Sequence, residues 1–434
     1  MLIVPLGSAA AAEARSFGPK AANLAALGQA GLPVPGGFCV SAQAYWLQLE
    51  SLGLGDLARR ATVEAGDRAA ELRRRALQIR LALYDRPLAP ALLDALLTAW
   101  RTMAAASAAP GVVRSSALVE DRFGSSFAGQ FESYLGLQSE EEFLIAVRSC
   151  WAALWSTRVL RYMEGNSSAT PGDTAMAILV QPLVQARCSG GGLSRTANGD
   201  RILTATWGLG SAIAQGEVVP DRIVLRPDGT VRDSQAGRKY HRVTCSHGSK
   251  SVPRSLFAAP CLDTRQAVEL GAMLIKAEQT LGQPVEIEWA LDEAGFKLLQ
   301  ARPLPPEMQA TEIGDRAASG NEKVWLHHPR LQGQPAGIGW GAGRACVVNC
   351  ECELSRVGPG DILVTRVAGP ALSSILSRVA GVVAELGGST SHLASLARER
   401  GIPMVLGVLD ATERIPDGVH VAVDGVAGVV QWIR

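Results

Sequence analysis

The stretch from Glu385 to Pro403, reading ELGGSTSHLASLARERGIP, admits few local folds. A short apolar β-branched run precedes it, Gly387-Gly388 breaks the chain direction, and a periodic segment follows before Gly401 and Pro403 stop it. The pattern predicts strand, glycine turn, helix, stop. Ser389, Thr390 or Ser391 can cap the helix, while Leu393, Leu396 and Ala397 give it an apolar face. His392 then falls in the first helical turn. Free amides and the positive end of the helix dipole attract phosphoryl oxygens there and disfavour imidazolium, which keeps the ring a neutral nucleophile. Gly387 and Gly388 let the backbone approach an anion closely. On these residues alone, a capped surface histidine is the competing reading.

The chain around this segment has 434 residues, enough for two or three domains. With 47% apolar and 19% charged residues it has a globular composition. The formal net charge of +1 provides no general field for nucleic acid or a membrane surface. No uninterrupted run of about 18 apolar residues is present, which predicts no membrane span. The first residues lack a basic region, and Pro5 breaks their apolar run, so they read as a mature cytoplasmic start. Eight scattered cysteines predict reduced thiols. Cys346, Cys350 and Cys352 cluster, but no second Cys or His pair stands at the interval of a structural metal site.

Along the chain, Asp67 to Ala106 shows helical periodicity broken by Pro87 and Pro90. Between Val112 and Arg302, β-rich runs alternate with helices, as in a large mixed α/β domain. The expected strands are 177–183, 201–205, 221–225, 285–291 and 296–303. Pro305 to Lys323 has no hydrophobic periodicity and reads as a linker. Strands at 361–365, 381–384, 403–406 and 419–423 around one short helix complete a second domain. The expected division is therefore 1–304, linker 305–323, and 324–434. An extended linker of that length reaches at most about 60 Å, and a flexible coil averages roughly 25 Å.

The first part carries its own candidates. Lys20 stands alone beside the turn of Phe17-Gly18-Pro19-Lys20, and Val113-Arg114-Ser115-Ser116 and Phe127-Ala128-Gly129-Gln130 supply a guanidinium and small-residue amides. Glu286 and Glu288 share one face of an expected strand, and Gln300 and Arg302 share one face of the next. Carboxylate and amide oxygens suit Mg²⁺ beside nucleotide phosphates. A structural salt bridge is the rival reading for the carboxylates.

Gly387-Gly388-Ser389-Thr390-Ser391-His392, with Ala397-Arg398-Glu399 and Gly401-Ile402-Pro403, closely resembles the phosphohistidine signature shared by phosphoenolpyruvate synthase, pyruvate phosphate dikinase and rifampicin phosphotransferase. The likeness extends through Gly360-Asp361-Ile362-Leu363-Val364 and Val423-Asp424-Gly425. The segments from about Ser16 to Pro303 resemble, in order, the ATP-grasp domain that precedes it in those enzymes. The resemblance implies an α/β (α+β) chain: an ATP-grasp domain followed by a small swivelling β/β/α phosphohistidine domain. It makes His392 the phosphorylated residue, aligns Lys20, Arg114, Gly129, Ser133 and Gln181 with nucleotide-binding positions, makes Glu288 and Gln300 the metal-holding pair, and sets Arg302 near the phosphates. Departures occur at Ser189–Arg195, which is shorter than the family segment and lacks its acid, at Thr204-Ala205-Thr206, where an acid is common, and at Ser211, where Glu is common. Ser133 replaces a usual Thr and keeps the hydroxyl.

The implied activity is a phosphotransfer in which His392 takes a phosphoryl group from ATP with Mg²⁺, AMP leaves, and the group passes onward. Neither the pyruvate-binding barrel nor the drug-binding insert of the family is seen in these residues, so pyruvate and rifampicin are not carried over. The expected partner is a small-molecule phosphoryl acceptor, bound by this chain or by a separate acceptor-binding subunit, with no nucleic acid and no membrane. A non-catalytic nucleotide-sensing or scaffold protein is the alternative.

Overall fold

In a computed structural model the described residues are 1–60, 69–120, 131, 133–164, 175–196, 198–243, 249–304 and 329–433. Gly129 and the expected linker 305–323 lie outside them. Two compact units account for the fold: Met1–Gln185 with Gly295–Arg302 in the first, and Ala186–Thr244, Gly248–Ala294 and Pro303–Arg434 in the second.

The first unit is built on β1 (Ile3–Pro5), β2 (Phe38–Val40), β3 (Gly111–Ala117), β4 (Ser133–Leu137) and β5 (Met176–Pro182), ordered β1-β2-β5-β3-β4 and antiparallel throughout. Central β5 is buried along Met176 to Val180, so both its faces are covered. The helix Glu140–Ala153 is fixed at its start by a capping box between Ser139 and Glu142. It buries Phe143, Val147, Cys150 and Trp151, and the Trp151 indole donates to Met176 O at 3.1 Å. One helical stretch has membrane length without being an uninterrupted apolar run, since Glu140, Glu141, Glu142 and Arg148 stand in it. Glu140–Leu160 is a helical stretch of sufficient length and mean hydropathy, with 61% of its most apolar window inside the protein. Its apolar side serves the core of this unit.

In the helix Ala14–Gln29, Gly18 departs from helical geometry with φ 75° and precedes Pro19. A Cβ at Gly18 would lie 2.3 Å from the Ser116 carbonyl oxygen, so only glycine permits this approach. The kink aims the residues after Pro19 at β3, and the Ala21 N–H donates to Ser116 Oγ at 3.2 Å.

The second unit contains two sheets and a short ribbon. In the first sheet, β6 (Cys188–Leu193), β7 (Arg201–Trp207), β8 (Asp221–Leu225), β9 (Val231–Gln235) and β12 (Val285–Asp292) run antiparallel in the order β12-β6-β7-β8-β9. The ribbon pairs β10 (His241–Val243) with β11 (Ser249–Ser251). The helix Thr264–Leu281 buries Leu270, Leu274 and Ala277, with an Asp263/Gln266 capping box at one end and left-handed Gly282 at the other. The strand β13 (Gly295–Pro303) follows β12 in the chain, and its residues to Arg302 belong to the first unit, where Leu298 N–H donates to Pro33 O at 2.7 Å.

The remaining sheet contains β14 (Arg330–Gln332), β15 (Gln334–Pro335), β16 (Trp340–Val348), β17 (Ile362–Thr365), β18 (Gly381–Ala384), β19 (Met404–Leu406), β20 (His420–Asp424) and β21 (Val429–Trp432). Its order is β14-β21-β20-β16-β17-β18-β19-β15, with β16 to β19 parallel and the flanks antiparallel. Ile362, Val364, Val383, Val405, Val421 and Val423 form its core. The helix His392–Glu399 follows β18, and a second short helix, Ala411–Arg414, is present beside the single one expected.

The expectation of uniformly reduced thiols is contradicted at Cys350 and Cys352, which form a disulfide. The 3-10 turn Glu351–Arg356 begins between them and sets their Cα atoms 5.4 Å apart, within bonding range. Among the described residues, Cys39, Cys150, Cys188, Cys261 and Cys346 are buried and outside any disulfide, and no cluster of three or more His, Cys, Asp or Glu side chains suits a metal.

Candidate functional site

The first unit gathers several sequence candidates around β3. Beyond the Gly18-Pro19 kink, Lys20 Nζ donates to Ser115 O at 2.9 Å and to Glu120 Oε1 at 3.2 Å. Lys20 is therefore not a lone lysine. Glu120 is buried at the end of β3 and also accepts from Ala117 N–H at 3.2 Å. Burial pushes its carboxyl above the usual range, against the opposing pull of Lys20, the Ala117 amide and Arg114.

Arg114, in the middle of β3, donates to Leu299 O at 2.5 Å and to Gln300 Oε1 at 2.7 Å. The guanidinium thus meets the amide of β13 across 186 positions of sequence. Ser133 is the cross-strand partner of Arg114 on β4 and is exposed. Gln181 is buried on β5, opposite Val112, and donates to Pro35 O at 3.2 Å. Arg302, two residues after Gln300, is half-buried. Lys20, Arg114, Ser133, Gln181, Gln300 and Arg302 consequently belong to one unit, whereas Glu288 belongs to the other. The three cations, the hydroxyl and the amides are the donor types that neutralise and orient a polyphosphate.

In the second unit the register of the first sheet sets Glu288 on β12 opposite Gly191 on β6, and Gly191 opposite Thr204 on β7. These three form one cross-strand row. Glu286, two residues away on β12, shares the face of Glu288. The helix bearing His392 comes onto this face. Thr390 Oγ1 lies 2.6 Å from Thr204 Oγ1, and a Cβ on Gly191 would lie 2.7 Å from the Thr390 side chain. Glu286 Oε2 is 3.1 Å from Ser395 Oγ and 3.3 Å from an Arg398 nitrogen. Of the two carboxylates expected to share one strand face, Glu286 is thus engaged in a buried ion pair, the rival reading for it, and Glu288 is half-buried.

His392 is the first residue of its helix and is half-buried. Of the three possible caps the fold uses Ser391, whose hydroxyl accepts from Ala394 N–H at 3.2 Å. Gly387 adopts φ 107° and donates to Val218 O at 3.0 Å. A Cβ on Gly388 would meet Pro220 Cγ at 2.4 Å, which excludes other residues from the turn. Arg398 donates to Ser389 O and to Ala336 O, tying the helix back to its own preceding loop. Sequence reasoning missed Glu120, whose acidic, polar surroundings resemble a solvated loop. It also passed over Gly191 as a contact residue, since nothing local announces Thr390 as its neighbour.

Residues 14–319 match the family model described as pyruvate phosphate dikinase, AMP/ATP-binding domain, and residues 357–428 match that of the PEP-utilising enzyme mobile domain. The first match alone covers more than half of the chain. The protein belongs to the pyruvate phosphate dikinase AMP/ATP-binding family. Among curated relatives, phosphoenolpyruvate synthase of Aeropyrum pernix is 32% identical, with the alignment covering 95% of this chain and 56% of that protein. Phosphoenolpyruvate synthase of Escherichia coli is 31% identical over 96% of this chain and 55% of that protein. The probable phosphoenolpyruvate synthase of Methanothermobacter thermautotrophicus is 31% identical over 95% and 61%, respectively. The chain spans little more than half the length of these relatives.

Proposed function

We propose that this chain is an ATP-dependent phosphotransferase of the dikinase type, in which His392 is the phosphoryl carrier. The observation that supports it best is the seating of Thr390, two residues before His392, on the sheet row that carries Glu288. The carrier helix and a candidate metal ligand thus share one face of one sheet. Lys20, Arg114, Gly129, Ser133, Gln181 and Arg302 bind the nucleotide in this reading, and Glu288 and Gln300 hold Mg²⁺ by oxygen donors. A carboxylate and an amide oxygen are hard donors of the kind that would suit Mg²⁺ beside phosphates. A Mg²⁺ ion held by these two side chains would offset phosphate charge during the transfer.

A neutral His392 nitrogen attacks the β-phosphorus, the bond from that phosphorus to the α,β-bridging oxygen breaks, and AMP leaves. The terminal phosphoryl group then passes to water or to inorganic phosphate, giving phosphate or pyrophosphate, and the phosphoryl group left on His392 passes to a small-molecule acceptor held by this chain or by a separate subunit. Carriage between nucleotide and acceptor is the task of a swivelling domain at 324–434, joined by 305–323 to a nucleotide domain at 1–304. Intact-mass measurement after incubation with Mg-ATP tests the reading. An acid-labile phosphoryl adduct present in the parent and missing in His392→Ala is the expected result. No adduct in the parent under any acceptor-free condition leaves a nucleotide-sensing protein as the answer.

A further inference from the structure

The glycines of β6 are explained by three different neighbours. A Cβ on Gly190 would lie 1.8 Å from Thr204 O, and one on Gly192 would lie 2.8 Å from Leu274 of the packing helix. Both exclusions arise within the sheet and its own helix. The exclusion at Gly191 differs, because its three nearest atoms all belong to Thr390, at 2.7 to 2.9 Å. The sheet itself does not demand this glycine; the element carrying His392 does. Gly191 also aligns the contact, since its N–H donates at 3.2 Å to Thr204 Oγ1, the hydroxyl oxygen that lies 2.6 Å from Thr390 Oγ1.

A second anchor lies one helical turn past the histidine. Ser395 is three residues beyond His392 and so shares its helix face, about 4.5 Å farther along the axis. Glu286 receives Ser395 at 3.1 Å and Arg398 at 3.3 Å, and Arg398 donates to Ser395 Oγ at 3.1 Å. All three side chains are buried. The first anchor lies on the row of Glu288 and the second on Glu286, so His392 is bracketed in sequence by Thr390 and Ser395 while two neighbouring rows on one sheet face hold those residues. One anchor alone leaves the helix free to rotate or slide; two fix both its rotation and its advance along the strand.

We infer that Gly191, Thr204 and Glu286 form a seat for the helix bearing His392 and are positioning residues that hold the histidine in register with Glu288. This deepens the phosphotransfer reading and rests on it for its kinetic consequence. Departure of the histidine from the seat must break the Glu286–Arg398 pair, so the seat defines one discrete stop. Three residue types meet its needs: no side chain at 191, a hydroxyl at 204, a carboxylate at 286. The shortened glycine-rich stretch Ser189–Arg195 thereby gains a role that its lack of an acid does not suggest.

The test uses the full chain with Gly191→Val as a wedge, Thr204→Val as an isosteric loss of the hydroxyl, and Glu286→Gln as a loss of charge. Two measurements are made: phosphoryl labelling of His392 from Mg-ATP, and amide hydrogen exchange across 389–398. The expected result is faster exchange in each variant. Labelling at saturating ATP should fall about tenfold or more, the scale of a misplaced reacting group. The half-saturating ATP concentration should stay as in the parent, because these side chains do not touch the nucleotide. A purely structural role would instead lower the melting temperature and leave the labelling rate of the folded fraction unchanged. Exchange and labelling equal to the parent in Glu286→Gln and Thr204→Val would overturn the inference, whether or not Gly191→Val folds. Should the parent itself not label, the phosphotransfer reading fails while hydrogen exchange still decides whether the seat exists.

Discussion

Lys20 and Glu120, 100 residues apart in sequence, form an ion pair at 3.2 Å with side-chain exposures of 13% and 6%. Removing one member of such a pair leaves a buried charge without a counterion. Lys20→Met is expected to destabilise the protein by about 3 kcal/mol at neutral pH. Glu120 is already pushed up by burial, and losing Lys20 raises it further. A carboxyl whose folded pKa lies above its unfolded value costs stability as pH rises past the unfolded value, about 4.3. The deficit measured by denaturant titration should therefore grow from pH 4 to pH 7, and Glu120→Gln in the same chain should remove that growth.

His392→Ala should abolish labelling and steady AMP formation while nucleotide affinity stays at the parent's value. The histidine is on the helix His392–Glu399 of one unit, whereas the candidate nucleotide residues Lys20, Arg114 and Gln181 belong to the other. Isothermal titration with a non-hydrolysable ATP analogue, run beside the labelling assay, separates the two effects.

Glu288→Ala should lower the rate of histidine labelling on the order of 100-fold, the scale of a lost metal contact. Raised Mg²⁺ should recover part of it. Glu286→Gln, one pleat away on the same face, should show no such Mg²⁺ response, because its carboxylate serves Arg398 and Ser395. Equal Mg²⁺ dependence of both variants would reverse the assignment of the two carboxylates.

Asp361 reports on the second sheet of its unit. Burial alone raises its carboxyl, but hydrogen bonds from Arg344 at 3.0 and 3.3 Å and from Gly358 N–H at 2.8 Å outweigh it, and the net shift is downward. Asp361→Asn should cost about 1–2 kcal/mol at neutral pH. A lowered folded pKa stabilises above the unfolded value, about 3.9, and that stabilisation is lost as pH falls through the folded pKa. The gap between parent and variant should accordingly close in acid.

Much of the fold was legible where strands are apolar and β-branched. Gly381–Ala384 and Asp221–Leu225 match their expected limits, and β7, β12 and β13 differ from theirs by one or two residues. Strands built on glycine were not legible. In β16, a Cβ on Gly341 would lie 2.1 Å from Ala380 O and one on Gly343 would lie 2.1 Å from Gly360 O. Both glycines serve close backbone approach inside a strand, and they leave no alternating apolar pattern to mark it. The same lack of pattern hid β6. At the site, the helix position of His392 followed from local signals, while Lys20–Glu120 and Thr204–Thr390 are long-range pairings that no local pattern encodes.

The central claim is that His392 carries the β-phosphorus of ATP. Its most direct measurement is incubation of the full chain with Mg²⁺ and ATP radiolabelled either at the β or at the γ position, followed by removal of nucleotide and separation of products. The account predicts AMP as the nucleotide product and acid-labile label on His392 that persists from β-labelled ATP after the γ label has been lost. ADP as the sole product, with label retained only from the γ position, would contradict it.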